Sequence, residues 1–132
     1  MLKLHPGAEA FVILVDTSIW IDHLRKPDAR LVELLRNDKV MVHPLVRLEL
    51  ALGSIANRET MLTELAKLHR PAIADEEELF HLAESRRLYR RGIGATDLHL
   101  LASALLDRSI RIWTRDRRLG EIADELGIRA AL

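Results

Sequence analysis

Four acidic residues stand where a carboxylate is an unusual choice. Asp16 directly follows the apolar run of residues 11–15 in "FVILVDTS". Glu49 sits beside Leu45, Leu48 and Leu52 in "PLVRLELALG", on the apolar side of an expected helix. Asp97 opens the helical stretch "GATDLHLLASALL", and Asp116 follows "IRIWTR" two residues after Thr114. Each alone has an ordinary reading. Asp16 can cap a helix by accepting the amide of Ser18 or Ile19. A first-turn Asp97 suits the helix dipole, Asp116 can cap the next helix, and Glu49 can reach solvent from a boundary. Together they imply chemistry. Four carboxylates brought to one place repel and raise one another's pKa unless a cation neutralises them. Hard oxygen donors of this kind select Mg²⁺ or Mn²⁺, and such an ion suits phosphodiester hydrolysis.

Other chemistries find less support. Cysteine is absent, so there is no disulfide framework, thiolate nucleophile or cysteine-held metal. His5, His23, His43, His69, His81 and His99 show no zinc spacing and read as surface or boundary residues. Ser18 lacks a nucleophile-elbow context, and Gly92 and Gly94 form a loop rather than a phosphate-binding motif. Lys plus Arg and Asp plus Glu are 20 each, so nucleic acid could be attracted only by local clusters. Two clusters qualify. Arg86, Arg87, Arg90 and Arg91 sit on one helix end, where they could equally form a solvated face. Arg115, Arg117 and Arg118 flank Asp116. Arg115 and Arg117 are the expected substrate contacts because they adjoin an acid.

At 132 residues one domain is expected. No run approaches the roughly 18 apolar residues of a membrane span, and the first ten residues do not form a signal peptide. A cytosolic protein is the expectation. Residues 1–11 read as an N-terminal extension, expected to be poorly ordered, and 12–132 as the domain.

The elements that must position the acids alternate. Residues 11–15 read as a strand buried on both faces. Helices follow over "TSIWIDHLR" and "DARLVELLR", then a strand over "KVMVH" and a helix opened by Pro44 with Leu45, Leu48 and Leu52 as its stripe. "NRETMLTELAKLH" is helical, "AIA" at 72–74 a short strand, and "DEEELFHLAESRRLYRRG" one helix running to Gly92. Leu98, Leu101, Ala102 and Leu105 mark the clearest helix. "IRIWT", "DRRLGEIADELG" and "IRAA" complete the order as strand, helix and strand. Such alternation predicts an α/β fold with a mostly parallel sheet. Ligands in such sheets bind outside the carboxyl ends of the strands.

The blocks "ILVDTSIWIDHLR", "PLVRLELALG", "GATDLHLLASALL" and "IWTRDRRL", in this order, resemble the PIN domain, and more closely the VapC toxins of type II toxin–antitoxin pairs. The resemblance spans residues 12–132. It implies a three-layer α/β/α sandwich with a parallel sheet of about five strands. It implies a Mg²⁺- or Mn²⁺-dependent endoribonuclease whose acidic quartet falls on Asp16, Glu49, Asp97 and Asp116. Asp16, Asp97 and Asp116 would hold metal, and Glu49 would complete the cluster or accept a proton. Thr17, Ser18 and Thr114 occupy the supporting polar positions. The implied partners are RNA, a small VapB-like antitoxin whose tail covers the acidic groove, and a second copy of the chain. Trp20, Leu24 and the helices near 31–35 and 48–65 are candidate partner surface. The alternative is a non-catalytic RNA-binding module on the same fold. A response-regulator receiver would need a late lysine, and none follows Lys67; a haloacid-dehalogenase phosphatase would need Asp-x-Asp where Asp16-Thr17-Ser18 stands.

Overall fold

The structure, a computed structural model, describes residues 11–132. The expected N-terminal extension, apart from Phe11, lies outside the described residues. Phe11 itself is held: the Arg111 guanidinium lies 3.9 Å from its ring centroid.

Strand β1 (Val12–Val15) is rich in β-branched residues and stops at Asp16. Ile13, Leu14 and Val15 are fully buried. Successive strand residues point to opposite faces, so both faces of the sheet are covered. Helices α1 (Thr17–Arg25) and α2 (Ala29–Arg36) carry the chain to β2 (Val40–Met41). Then come α3 (Pro44–Leu52), α4 (Arg58–Leu65), α5 (Glu76–Ser85) and α6 (Ala95–Leu106), followed by β3 (Ile110–Trp113) and α7 (Arg117–Glu125). The strands are parallel in the order β2-β1-β3, with Leu14 opposite Met41 on one side and Ile112 on the other. The chain passes from β1 to β2 on one side and then crosses to β3 on the other, which puts a switch point at the carboxyl ends of β1 and β3. Among the described residues no helix is long and apolar enough to cross a membrane.

The sheet is smaller than expected. Among the described residues it has three strands, not about five. The segments at 72–74 and 128–131 contribute no strand. Instead single parallel bridges flank the sheet, Met41 with His69 and Ile112 with Arg129. The first cannot lengthen because Pro71 has no N–H to donate. In the second, Ile112 donates to Ile128 O and accepts from Ala130 N, both at 2.8 Å.

Three helices also depart from their expected form. On α3 the buried residues are Val46 and Leu50, whereas Leu48 and Leu52 are exposed. On α6 the fully buried line is Leu100, Leu101 and Ala104, and Leu105 is partly exposed. Asp97 stands three residues before Leu100 and four before Leu101, so it continues this core-facing line. Helix α5 ends at Ser85 rather than running to Gly92. Leu88 turns inward and is buried, and Arg87 and Arg90 take positive φ, which no helix accommodates.

Candidate active site

Asp16 sits at the carboxyl end of the central strand and is 6 % exposed. Its backbone carbonyl accepts from Ile19 and Trp20, which starts α1. The carboxylate does something else. Oδ1 accepts the N–H of Thr17 at 2.7 Å, rather than that of Ser18 or Ile19. Oδ2 accepts the hydroxyls of Ser18 at 3.0 Å and Thr114 at 2.6 Å. A carboxylate taken so far out of water is costly unless it is hydrogen-bonded, and these three donors supply that.

Thr114 ties two strand ends together. It follows β3, and its Oγ1 accepts the N–H of Asp116 at 3.0 Å. Asp116 then caps α7, its Oδ1 accepting the N–H of Leu119 at 3.0 Å. Its ordinary role as a cap is therefore real, and it sets the carboxylate at the same sheet edge as Asp16.

Glu49 reaches the edge by another route. It is exposed, not half-buried. Thr17 Oγ1 donates to its Oε1 at 2.6 Å and draws it from α3 toward the first turn of α1. Burial was thus the wrong reason to single out Glu49; the hydrogen bond brings it in.

Asp97 is half-buried in the first turn of α6, where the N–H of Gly94 reaches its Oδ2 across a long 3.5 Å. Its pKa is pushed up to about 6. Burial is the largest cause, and the charges of Asp16, Asp116 and Glu49 all push the same way, with the Gly94 amide opposing them. Asp97 therefore feels the other three acids. The four do not form a closed cage: among the described residues, no three His, Cys, Asp or Glu side chains are grouped tightly enough for that. An open arrangement of carboxylates and hydroxyls fits Mg²⁺ or Mn²⁺. Magnesium keeps several waters and takes only one or two carboxylates from the protein. The raised pKa of Asp97 reflects burial first and its acidic neighbours second, and a cation would relieve the latter.

Arg115 is engaged on both sides. Its backbone N–H donates to Ser18 Oγ at 3.1 Å. Its guanidinium pairs with Asp22 and Asp28, 3.1 Å from the latter. Asp28 also caps α2 and bonds Arg30, and the Arg30 hydrogen bonds hold its pKa down to about 2. Arg30 lies 5.0 Å from the Trp113 ring centroid. Arg117 pairs with Glu121 one turn along α7 at 3.2 Å. Trp20, a candidate partner residue by sequence, is core at 2 % exposure.

Sequence reasoning missed His43. It follows β2, at the same edge of the sheet as Asp16, and is buried rather than on the surface. Its Nδ1 accepts the N–H of Leu45 at 3.0 Å and caps α3. Its ring lies 5.2 Å from that of His99 on α6. Burial lowers its pKa to about 4, and the nearby His99 and Arg70 charges add to the effect. The available signal was a polar residue ending a strand immediately before a proline at the first helical position.

With this geometry established, three likenesses bear on it. The PIN domain family profile matches residues 13–125. The chain is 50% identical over 120 residues to Ribonuclease VapC32 of Mycobacterium tuberculosis, in each of two strains, covering 91% of this chain and 97% of the relative. Its fold matches the crystal structure of PAE2754 from Pyrobaculum aerophilum with a TM-score of 0.61, over 87% of each chain and at 20% identity.

Proposed function

The chain belongs to the PIN-domain family, as a VapC-type ribonuclease, and on that premise we propose that it is a metal-dependent endoribonuclease acting as the toxin of a toxin–antitoxin pair. The observation that carries the reading is Asp97: a half-buried acid whose pKa is raised by burial and by three other acids arriving from three separate elements. A solvated helix face or a plain cap would not assemble that combination.

In this reading Asp16, Asp97 and Asp116 hold Mg²⁺ or Mn²⁺. When bound, such an ion neutralises the carboxylates, makes water more acidic and stabilises charge on a phosphodiester. The protein's own residues do the positioning. Thr114 and Ser18 fix Oδ2 of Asp16, and the Thr17 amide fixes Oδ1. Glu49 stands exposed at the rim with one oxygen on Thr17, which leaves the other to take a proton from an attacking water. Thr17 thus orients both carboxylates, one with its amide and one with its hydroxyl.

Two surface features support this reading of the partners. A cavity of about 470 Å³ lined by Ile21, Leu24, Glu49, Leu50 and Ile55 opens beside the acid edge. Exposed Ile21, Leu48 and Leu52 lie on the two helices that line it. An apolar groove ending on Glu49 suits an antitoxin tail that covers the site. A second apolar area, with Phe80, Leu105 and Leu106 exposed on α5 and α6, suits a second copy of the chain.

The test is RNA cleavage by the purified chain in Mg²⁺ or Mn²⁺, against EDTA and against Asp16→Asn. Cleavage that needs the metal and disappears in the variant supports the reading. Binding without cleavage in any metal supports the non-catalytic RNA-binding alternative. Full activity in Asp16→Asn would place the chemistry elsewhere.

A further inference from the structure

Four arginines stand at 86, 87, 90 and 91, and three more follow Thr114. The structure sorts these seven. Arg91 forms a two-pronged pair with Glu125 at 2.7 and 3.1 Å. Arg115 is held by Asp22 and Asp28, and Arg117 by Glu121. Among the described residues, Arg86, Arg87, Arg90 and Arg118 have no carboxylate partner within salt-bridge distance, and all four are exposed.

Arg118 is the best placed of these. It stands two residues from Asp116, in the first turn of α7. A cation there opposes the helix dipole, so its position does not serve the helix. It is nevertheless seated. A Cβ on Gly92 would lie 2.7 Å from Arg118 Nη1 and 2.8 Å from its Cδ. Gly92, at φ +80, leaves the room in which the Arg118 side chain lies. The loop that makes this room also carries Arg87 at φ 52 and Arg90 at φ 63. Left-handed backbone is costly for arginine, and such strain gathers at sites where position matters more than stability. Tyr89, 52 % exposed, lies between them in the chain. Cations without partners alongside an exposed aromatic match what single-stranded RNA offers: phosphates to neutralise and bases to stack.

We propose that Arg118, cradled on Gly92, contacts the phosphate backbone of single-stranded RNA, with Arg87 and Arg90 continuing the track, and that Arg115 is instead a positioning residue that holds Ser18 and α1 in place. This rests on the reading of the acid edge as a ribonuclease site.

The test uses the full chain and a fluorescent single-stranded RNA oligonucleotide of mixed sequence. Anisotropy in EDTA, over a salt series, reports binding separately from cleavage; turnover is then measured in Mg²⁺. Arg118→Gln is expected to weaken binding roughly three- to tenfold and to flatten the plot of log affinity against log salt by about 0.7, one phosphate's worth. Arg118→Lys keeps most of the binding. Gly92→Ala weakens it with no charge removed. Arg115→Gln leaves binding and KM near the wild-type values and lowers kcat. Wild-type affinity and salt slope in Arg118→Gln, or a binding loss confined to Arg115→Gln, overturns the assignment while leaving the ribonuclease reading intact. No RNA binding and no cleavage by the wild-type chain overturns both.

Discussion

Thr114 donates its hydroxyl to Asp16 at 2.6 Å across a separation of 98 residues. It does so while accepting the N–H of Asp116. One hydroxyl thus joins two members of the acidic group and the ends of two neighbouring strands. The bond to Asp16 is buried, out of reach of bulk water, and the bond to the Asp116 N–H is part-buried.

Replacing this hydroxyl by a methyl group separates its two roles. Thr114→Val leaves the Asp116 N–H without its acceptor and Asp16 Oδ2 with one donor fewer. A buried group left unpaired costs about 1–3 kcal/mol, which at this chain length lowers Tm by roughly 4 °C per kcal/mol. RNA cleavage falls with it, and Thr114→Ser restores most of both. Thermal melting and a cleavage assay check this; unchanged activity in Thr114→Val would remove Thr114 from the site.

Asp97 is a carboxylate the metal-free fold tolerates poorly. Asp97→Asn removes the charge from a half-buried site beside three other acids. In EDTA the variant is expected to be more stable than the wild type, by about 1 kcal/mol, and inactive, the usual exchange of stability against function. Mg²⁺ at ten times its dissociation constant stabilises the wild type by about 1.4 kcal/mol, which raises its Tm, and stabilises Asp97→Asn less. Equal Mg²⁺ responses in the two proteins would take Asp97 out of the metal site.

His43 makes the fold sensitive to acid. Its native pKa of about 4 lies below the ordinary 6.5, so the unfolded chain binds the extra proton first as pH falls. The stability His43 contributes is therefore complete above pH 6.5 and is lost as pH falls from 6.5 to 4, up to about 3 kcal/mol. Asp97 acts in the opposite sense over part of this range, because its raised pKa favours the folded state as acid is added. His43→Asn keeps an acceptor for the Leu45 N–H and removes the titration. Urea unfolding at pH 7 and pH 4.5 should show a smaller loss in His43→Asn than in the wild type.

Asp28 serves α2 and Arg115 together. Asp28→Ala removes a helix cap, worth about 1 kcal/mol, and ion pairs to two partly exposed arginines, Arg30 and Arg115, each worth less. Stability should fall by about 1–2 kcal/mol. Turnover should fall as it does in Arg115→Gln, since both variants loosen the guanidinium that ties the segment after β3 to Asp28 and, through Asp22, to α1. If Asp28→Ala instead tightens RNA binding and speeds cleavage, Arg115 is a substrate contact that Asp28 restrains.

The sequence by itself determined the order of elements and the identity of the acids. A continuous apolar run ending in Asp16, a proline opening α3 and an amphipathic α6 are local signals, and local physics reads them. The number of strands was not local. Whether residues 72–74 or 128–131 join a sheet depends on which backbone groups lie opposite them, and at the first Pro71 has no N–H to offer. The tertiary structure alone also showed why each acid is where it is. Periodicity placed Glu49 on an apolar stripe, yet Leu48 and Leu52 are exposed and it is Thr17, 32 residues earlier, that holds Glu49. Asp97 looked like a first-turn acid, and only packing revealed it as the end of the buried line through Leu100, Leu101 and Ala104. In the sequence the seven clustered arginines could be ranked only by nearness to an acid, which favoured Arg115 and Arg117. Pairing separated them, because an ion pair is a fact of distance, and sequence carries no distances between segments that meet only when the chain folds.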